Sequence, residues 1–276
     1  MSFDPRQMKR IERDGYNLIG ARYAAGAEAR AALTDALINT ARLQPGQHVL
    51  DLAAGPGLLA STASAKVGVT EGNPRGTGGT AIATDIAEAQ LACCPGLLRV
   101  AADGEYLPFV SNHFDRVLCG LGLMVFPDAA RALAEARRVM VPGGILALSV
   151  WGEAAHTPLL SCALDCMKRL LPAPKVARPS VFRFGTPEAL GTPLAEAGFG
   201  AIAIQTIMID SHFTDAASYW QAFLDLAGGA AGSLARLPES MQQRLVSEVT
   251  RELSSFAGEA GYAMRSSVLV ATATKK

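Results

Sequence analysis

Val49-Leu50-Asp51-Leu52-Ala53-Ala54-Gly55-Pro56-Gly57-Leu58-Leu59-Ala60 reads as a buried strand that stops in a glycine-containing turn and becomes a helix. Glycines at such a turn let the backbone approach a ligand that a Cβ would hold off. The amides opening the helix are then free to hold an anionic group. Asp51 stands at the strand's carboxyl end, where open α/β sheets place their ligands. A nucleotide-like ligand is the first expectation.

The glycines alone do not choose the nucleotide, because Gly55-Pro56-Gly57-Leu58-Leu59-Ala60 also satisfies the dinucleotide pattern G-x-G-x-x-G/A. Asp51 helps to decide. A carboxylate aimed into the turn repels a pyrophosphate but suits a ligand carrying an ammonium group. S-adenosylmethionine carries an ammonium and a sulfonium.

The rest of the chain narrows the class. Its 276 residues allow one large α/β domain, or one with a lid, and half of them are hydrophobic. Formal net charge is zero without a run of Lys or Arg, which disfavours a nucleic-acid partner. The stretch Met1 to Arg10 is polar and lacks the apolar segment of a secretory signal, and no apolar run has the length of a membrane span. A cytoplasmic protein is expected. Cys93, Cys94, Cys119, Cys162 and Cys166 form no C-x-x-C pair, and their odd number argues against a disulfide framework. Cys162 and Cys166, one helical turn apart with Asp165 between them, lack a His at ligand spacing, so buried thiols and no metal are expected.

Outward from the turn, apolar runs alternate with helical patterns. A helix is expected from about Gly20 to Arg42 and another from Gly57 to about Lys66. Strands are expected at His48–Ala53, Ala81–Asp85, Leu98–Ala102, Arg116–Cys119 and Ile145–Trp151. Asp128 should cap a helix that Pro142-Gly143-Gly144 stops, and Thr186-Pro187 should open one that Gly198 ends. Ala201–Ile207 and Ser267–Thr274 look like two further strands, separated by helices that would cap the sheet's carboxyl edge. The loop Gly68 to Thr80 contains Gly76-Thr77-Gly78-Gly79-Thr80, but no Lys follows as a P-loop requires; a surface insertion is expected. The rhythm implies a mostly parallel sheet covered on both faces.

Asp51 to Gly57 resembles motif I, D-x-G-x-G-x-G, of class I S-adenosylmethionine-dependent methyltransferases, with Ala53 in place of the first glycine. Ala83-Thr84-Asp85-Ile86 resembles their second-strand acidic motif, and Asp103-Gly104-Glu105-Tyr106-Leu107-Pro108-Phe109 their D-A-E-x-L-P-F segment. Phe114 to Gly120 with Phe126-Pro127-Asp128, and Leu133 to Gly144 against L-x-E-x-x-R-V-L-K-P-G-G, extend the likeness over residues 45 to 152. Phe182-Arg183-Phe184-Gly185-Thr186-Pro187-Glu188 resembles a segment after the fifth strand of some relatives. The branch it looks most like holds ubiquinone and menaquinone C-methyltransferases and many small-molecule O-methyltransferases.

That resemblance implies a Rossmann-like α/β fold with a mostly parallel seven-stranded sheet, helices on both faces and a helical cap. One domain over 1–276 would have its core at about 43–152, N-terminal helices over 1–42, and the cap and last strands over 153–276. It implies S-adenosylmethionine as cofactor, with Asp51, Ala53, Gly55, Pro56 and Gly57 at the methionine end and Asp85 with Ile86 at the ribose and adenine face. Asp103, Gly104 and Glu105 would meet the adenine, with Cys119, Gly120 and Tyr23 as further contacts. Met124, Trp151, Phe184 and Trp220 are candidates for the substrate side; some quinone-methylating relatives have a polar or basic residue in place of Met124.

Each of these has a plainer competitor. Asp51 could only cap the turn, Asp85 could be a surface acid after the long loop, and Glu135 with Arg138 reads as a structural ion pair. Methyl transfer to an activated carbon rests largely on positioning and exclusion of water. A base is needed only for a protonated nucleophile, and His156, just beyond the fifth strand, is the candidate among the four histidines. The expected reaction is O-methylation of a hydroxylated aromatic or similar small molecule. C-methylation of a quinone-like acceptor, N-methylation of a heterocycle, an NAD(P)-dependent oxidoreductase and a non-catalytic S-adenosylmethionine-binding subunit are the alternatives.

Overall fold

In a computed structural model, which describes residues 3–26, 30–68 and 78–276, β1 (His48–Leu52) is an interior strand of the sheet. Its parallel neighbours are β2 (Thr80–Asp85) and β4 (Phe114–Gly120), so Asp51 pairs in register with Ala83 on one side and Leu118 on the other. β3 (Leu98–Ala101) adds to β2 and β5 (Met140–Trp151) to β4, also in parallel. Apolar side chains at Val49, Leu50, Val117, Leu118, Leu146 and Leu148 are buried, as a sheet covered on both faces requires.

Two longer strands complete the sheet. β6 (Phe199–Phe213) does not touch β5; β8 (Gly261–Lys275) runs antiparallel between them. The order β3-β2-β1-β4-β5-β8-β6 departs from the all-parallel order of dinucleotide-binding sheets. A two-residue strand, β7 (Ala257–Gly258), pairs with β8 off this path, so the sheet has eight strands where seven were expected.

The helices among the described residues are α1 (Pro5–Ala25) and α2 (Ala31–Ala41) before β1, α3 (Leu58–Val67), α4 (Glu88–Ala92) and α5 (Ala129–Val139) after β1, β2 and β4, α6 (Pro158–Leu170) and α7 (Pro187–Glu196) after β5, and α8 (Ala216–Leu226), α9 (Gly228–Leu234) and α10 (Glu239–Leu253) after β6. Asp4 caps α1 by accepting from the Arg6 and Gln7 amides, and Pro5 takes the first helical position. Asp128 and Thr186 cap α5 and α7 as expected.

The structure corrects several boundaries. The single helix expected from Gly20 to Arg42 is two, because α1 ends at Gly26 and α2 starts at Ala31. Pro142-Gly143-Gly144 does not stop α5; the helix ends at Val139, and these residues lie inside β5, with Gly143 at a φ of 78°. β6 and β8 outrun their expected lengths because their outer halves pair with each other, from Met208 opposite Ser267 to Phe213 opposite Tyr262, and along β6 more and less exposed side chains alternate there. Residues 69–77 of the glycine-rich loop lie outside the described residues. No helix among the described residues is long and apolar enough to cross a membrane.

Candidate active site

The chain leaves β1 through three left-handed residues, Ala53 (φ 57°), Gly55 (φ 55°) and Gly57 (φ 74°). A Cβ on Gly57 would stand 2.5 Å from the Cys94 Sγ, so this glycine answers to packing as well as to its φ. The turn is bonded to the neighbouring strand: the Ala54 amide donates to the Thr84 carbonyl at 2.9 Å, and the Gly55 amide to Asp85 Oδ2 at 2.8 Å. Asp85 Oδ1 accepts from the Ala87 amide at 2.8 Å, so one carboxylate ties the tip of β2 to two turns. Burial raises its pKa in spite of these bonds.

Asp103, just after β3, faces the same space from the next strand. Its Oδ1 accepts from the Glu105 amide at 2.9 Å and its Oδ2 lies 2.6 Å from Lys9 Nζ. Between Asp85 and Asp103 opens a crevice of about 750 Å³, counted to its mouth. Ala53 and Gly55 floor it, Gly104 and Gly120 flank it, and Tyr16 and Tyr23 of α1 cover it. The two tyrosine rings meet edge to face at 5.9 Å. Burial pushes both phenols above their usual range, which keeps them neutral hydrogen-bond donors.

Asp51 sits one layer deeper. It is fully buried, its Oδ2 accepts from the Ala60 amide at 2.9 Å, and its Oδ1 has no partner. Burial, set against the Ala60 bond and added to by the Asp85 charge, pushes its pKa up to about 8. Asp85 and Asp103 therefore share one crevice, with Asp51 beneath its floor and not on its wall.

The other expected residues divide the same way. Tyr23, Ala53, Gly55, Asp85, Ile86, Asp103, Gly104 and Gly120 line the crevice. Pro56 lines a smaller adjoining cavity of about 490 Å³, between the turn and α2. Gly57 and Cys119 do not reach the crevice, and burial pushes the Cys119 thiol up to about 12. Glu105 is buried against Lys9, and its other oxygen accepts from the Asp128 amide at 2.8 Å.

The four substrate-side candidates lie off the crevice wall: Met124 and Trp151 are core residues, Phe184 packs against the core, and Trp220 stacks on Phe223 at 5.5 Å. His156 lies on a short 3-10 turn after β5, its side chain 68% exposed, with Nδ1 3.8 Å from Glu153. It is not among the residues around the crevice.

Two contributions escaped the sequence reading. Lys9 and Glu12 of α1 line the crevice beside Tyr16, and Val125-Phe126-Pro127 close it from the loop after β4. Positions 9, 12, 16 and 23 fall on one helical face, a pattern readable in the sequence once α1 is known to dock there. Glu12 is spoken for, 3.2 Å from Arg178. Glu135 and Arg138 form the expected ion pair at 2.7 Å. They also clasp the loop after Asp103: Arg138 donates to the Leu107 and Phe109 carbonyls, and Glu135 accepts from the Leu107 amide. No group of three or more His, Cys, Asp or Glu among the described residues could hold a metal ion.

Residues 50–148 match the family model described as "Methyltransferase domain". The ubiquinone/menaquinone biosynthesis C-methyltransferase UbiE of Coxiella burnetii is 34% identical over 135 residues, which are 45% of this chain and 51% of that protein. The chain thus spans about half the length of the curated relatives it matches. Among solved structures, YcgJ of Bacillus subtilis superposes with a TM-score of 0.58 at 16% identity, over 88% of this chain and 97% of that one. Phosphoethanolamine N-methyltransferase 2 of Haemonchus contortus, in complex with phosphomonomethylethanolamine and S-adenosylhomocysteine, gives 0.54 at 16% identity, over 88% and 52%. The solved structures, at 16% identity, show the Rossmann-like fold expected from the sequence, and the family model and the UbiE relatives match the stretch that carries the family resemblance.

Proposed function

We propose, from the premise that residues 50–148 are a methyltransferase domain on a class I fold, that this chain transfers a methyl group from S-adenosylmethionine to a small-molecule acceptor. The observation that carries the reading is the pair Asp85 and Asp103, two carboxylates from adjacent strand ends facing one crevice over a glycine turn. The cofactor suits what is there: hydroxyls and an amino group for two carboxylates, and a close backbone approach at Gly55. Asp85 would hold the ribose, Asp103 the adenine amino group, and the Ala53–Gly57 turn the methionine tail. When bound, S-adenosylmethionine supplies a methyl carbon activated by its sulfonium.

The protein's own work is to orient the two reactants and keep water out. Tyr16 and Tyr23 roof the crevice, while Val125 and Phe126 give it apolar walls. No histidine stands among the residues that line it. A hydroxylated aromatic would give up its proton as the methyl group arrives, to a lining carboxylate or to solvent. O-methylation of that acceptor is the first reading. C-methylation of a quinol-like ring is the second, favoured by the UbiE relatives, whose name states that activity.

Calorimetry of the full chain with S-adenosylhomocysteine and with NADH, followed by turnover on a panel of phenols, quinols and amines, tests this. Binding of the first ligand and a methylated phenol or quinol are expected, and product analysis assigns O or C. Heat with NADH alone would overturn the reading. Cofactor binding without turnover anywhere on the panel would make the chain a binding subunit.

A further inference from the structure

Lys9, on α1, reaches a loop ninety-four residues further along the chain. Its ammonium lies 2.6 Å from Asp103 Oδ2 and 2.5 Å from Glu105 Oε2, and its side chain is only 17% exposed. Glu105 is nearly fully buried, and its second oxygen is already taken by the Asp128 amide. Arg131 comes close but donates to the Glu105 carbonyl, not to its carboxylate. One ammonium therefore serves two carboxylates at the end of the crevice where Asp103 stands. It also lies 5.1 Å over the Tyr106 ring, a further hold on the same loop.

We infer that Lys9 is a positioning residue for this end of the crevice: it aims the Asp103 carboxylate and fastens α1 over it, so that recognition of an exocyclic amino group and docking of α1 become one coupled event. The inference rests on the S-adenosyl reading of the site. A carboxylate has about four acceptor sites and Lys9 and the Glu105 amide use two, so Asp103 keeps lone pairs for an amino group while its direction stays fixed. Without Lys9, two carboxylates would face each other with no cation between them, and Asp103 would turn away. α1 would lose the tie that joins its first half to the sheet's carboxyl edge.

The test is a cycle between one residue and one ligand group. The full-length wild type and Lys9→Met are titrated with S-adenosylhomocysteine and with S-inosylhomocysteine, in which a carbonyl replaces the amino group. Wild type should prefer the first by about tenfold or more, the worth of a charge-assisted hydrogen bond. Lys9→Met should shrink that preference to within about threefold of unity, Lys9→Arg should restore most of it, and amide exchange over residues 5–25 should quicken in the ligand-free Lys9→Met protein. A thermal melt checks that the variant folds; if it does not, Lys9→Gln is read in the same way. An unchanged preference ratio, even with weaker binding overall, would overturn the inference alone. Wild type that binds neither compound would overturn the S-adenosyl reading itself and the inference with it.

Discussion

Asp85 accepts the amide hydrogen of Gly55 at 2.8 Å across thirty residues of sequence, and this bond makes the tip of β2 part of the turn after β1. The same carboxylate lines the crevice, so it shapes the turn and faces the ligand at once. In Asp85→Asn one amide acceptor becomes an NH₂ that must face a backbone donor, while the desolvation of a buried charge is relieved. These effects oppose each other in the free protein, and stability should move by less than about 1 kcal/mol. Affinity for S-adenosylhomocysteine should fall about ten- to a hundredfold, since hydrogen bonds to a charged group are lost. Paired melts and calorimetry read the two apart, and an unchanged affinity would remove Asp85 from the binding site.

Asp51 makes a pH prediction of definite sign. Its pKa rises from an ordinary 3.8 to about 8 on folding, so between those values the native state holds a proton that the unfolded chain has lost. Its contribution is therefore fully present below about pH 4 and is lost as pH climbs towards 8, by at most about 1.4 kcal/mol per pH unit. Asp51→Asn removes that slope. Urea midpoints of the wild type and the variant should run together in acid and separate across this window, with the variant the more stable at high pH. Parallel curves would mean that Asp51 stays ionised in the fold.

Gly57 is a packing glycine, off the crevice wall and against Cys94 and Leu97. Gly57→Ala places a Cβ at a φ of 74° and 2.5 Å from Cys94 Sγ. The left-handed backbone costs about 1–2 kcal/mol and the overlap about 1–3 more. Adding Cys94→Ala should recover most of the second part, since Leu97 Cδ1 stays at 3.0 Å, and leave the first. Denaturant unfolding of the single and double variants measures this; full rescue by the double variant would mean that the backbone carries no strain.

The strand–turn–helix of residues 49–60 was legible because each local choice in it agrees: an apolar strand, glycines where φ turns positive, then a helix former. The acidic residues after β2 and β3 were legible as motifs, and both reach the crevice. What the sequence hid was tertiary. Lys9 and Glu12 lie on a helix rich in charge, and only its docking decides which face meets the sheet. His156 follows a strand that points to the crevice, yet the chain turns outward at once into an exposed 3-10 turn beside Glu153. Trp220 has the spacing of a pocket wall and spends its ring on Phe223 instead. Proximity in sequence to a strand end did not distinguish these side chains from those that face the ligand.

The placement of β8 between β5 and β6 also orders assembly. β6 has no hydrogen-bonding partner until β8 exists, and α8, α9 and α10 must be synthesised before β8 can pair with it. On the ribosome the half-sheet β3-β2-β1-β4-β5 can close early, while a fifteen-residue strand emerges with both its edges bare. That interval leaves an unpaired strand open to wrong pairing with another chain.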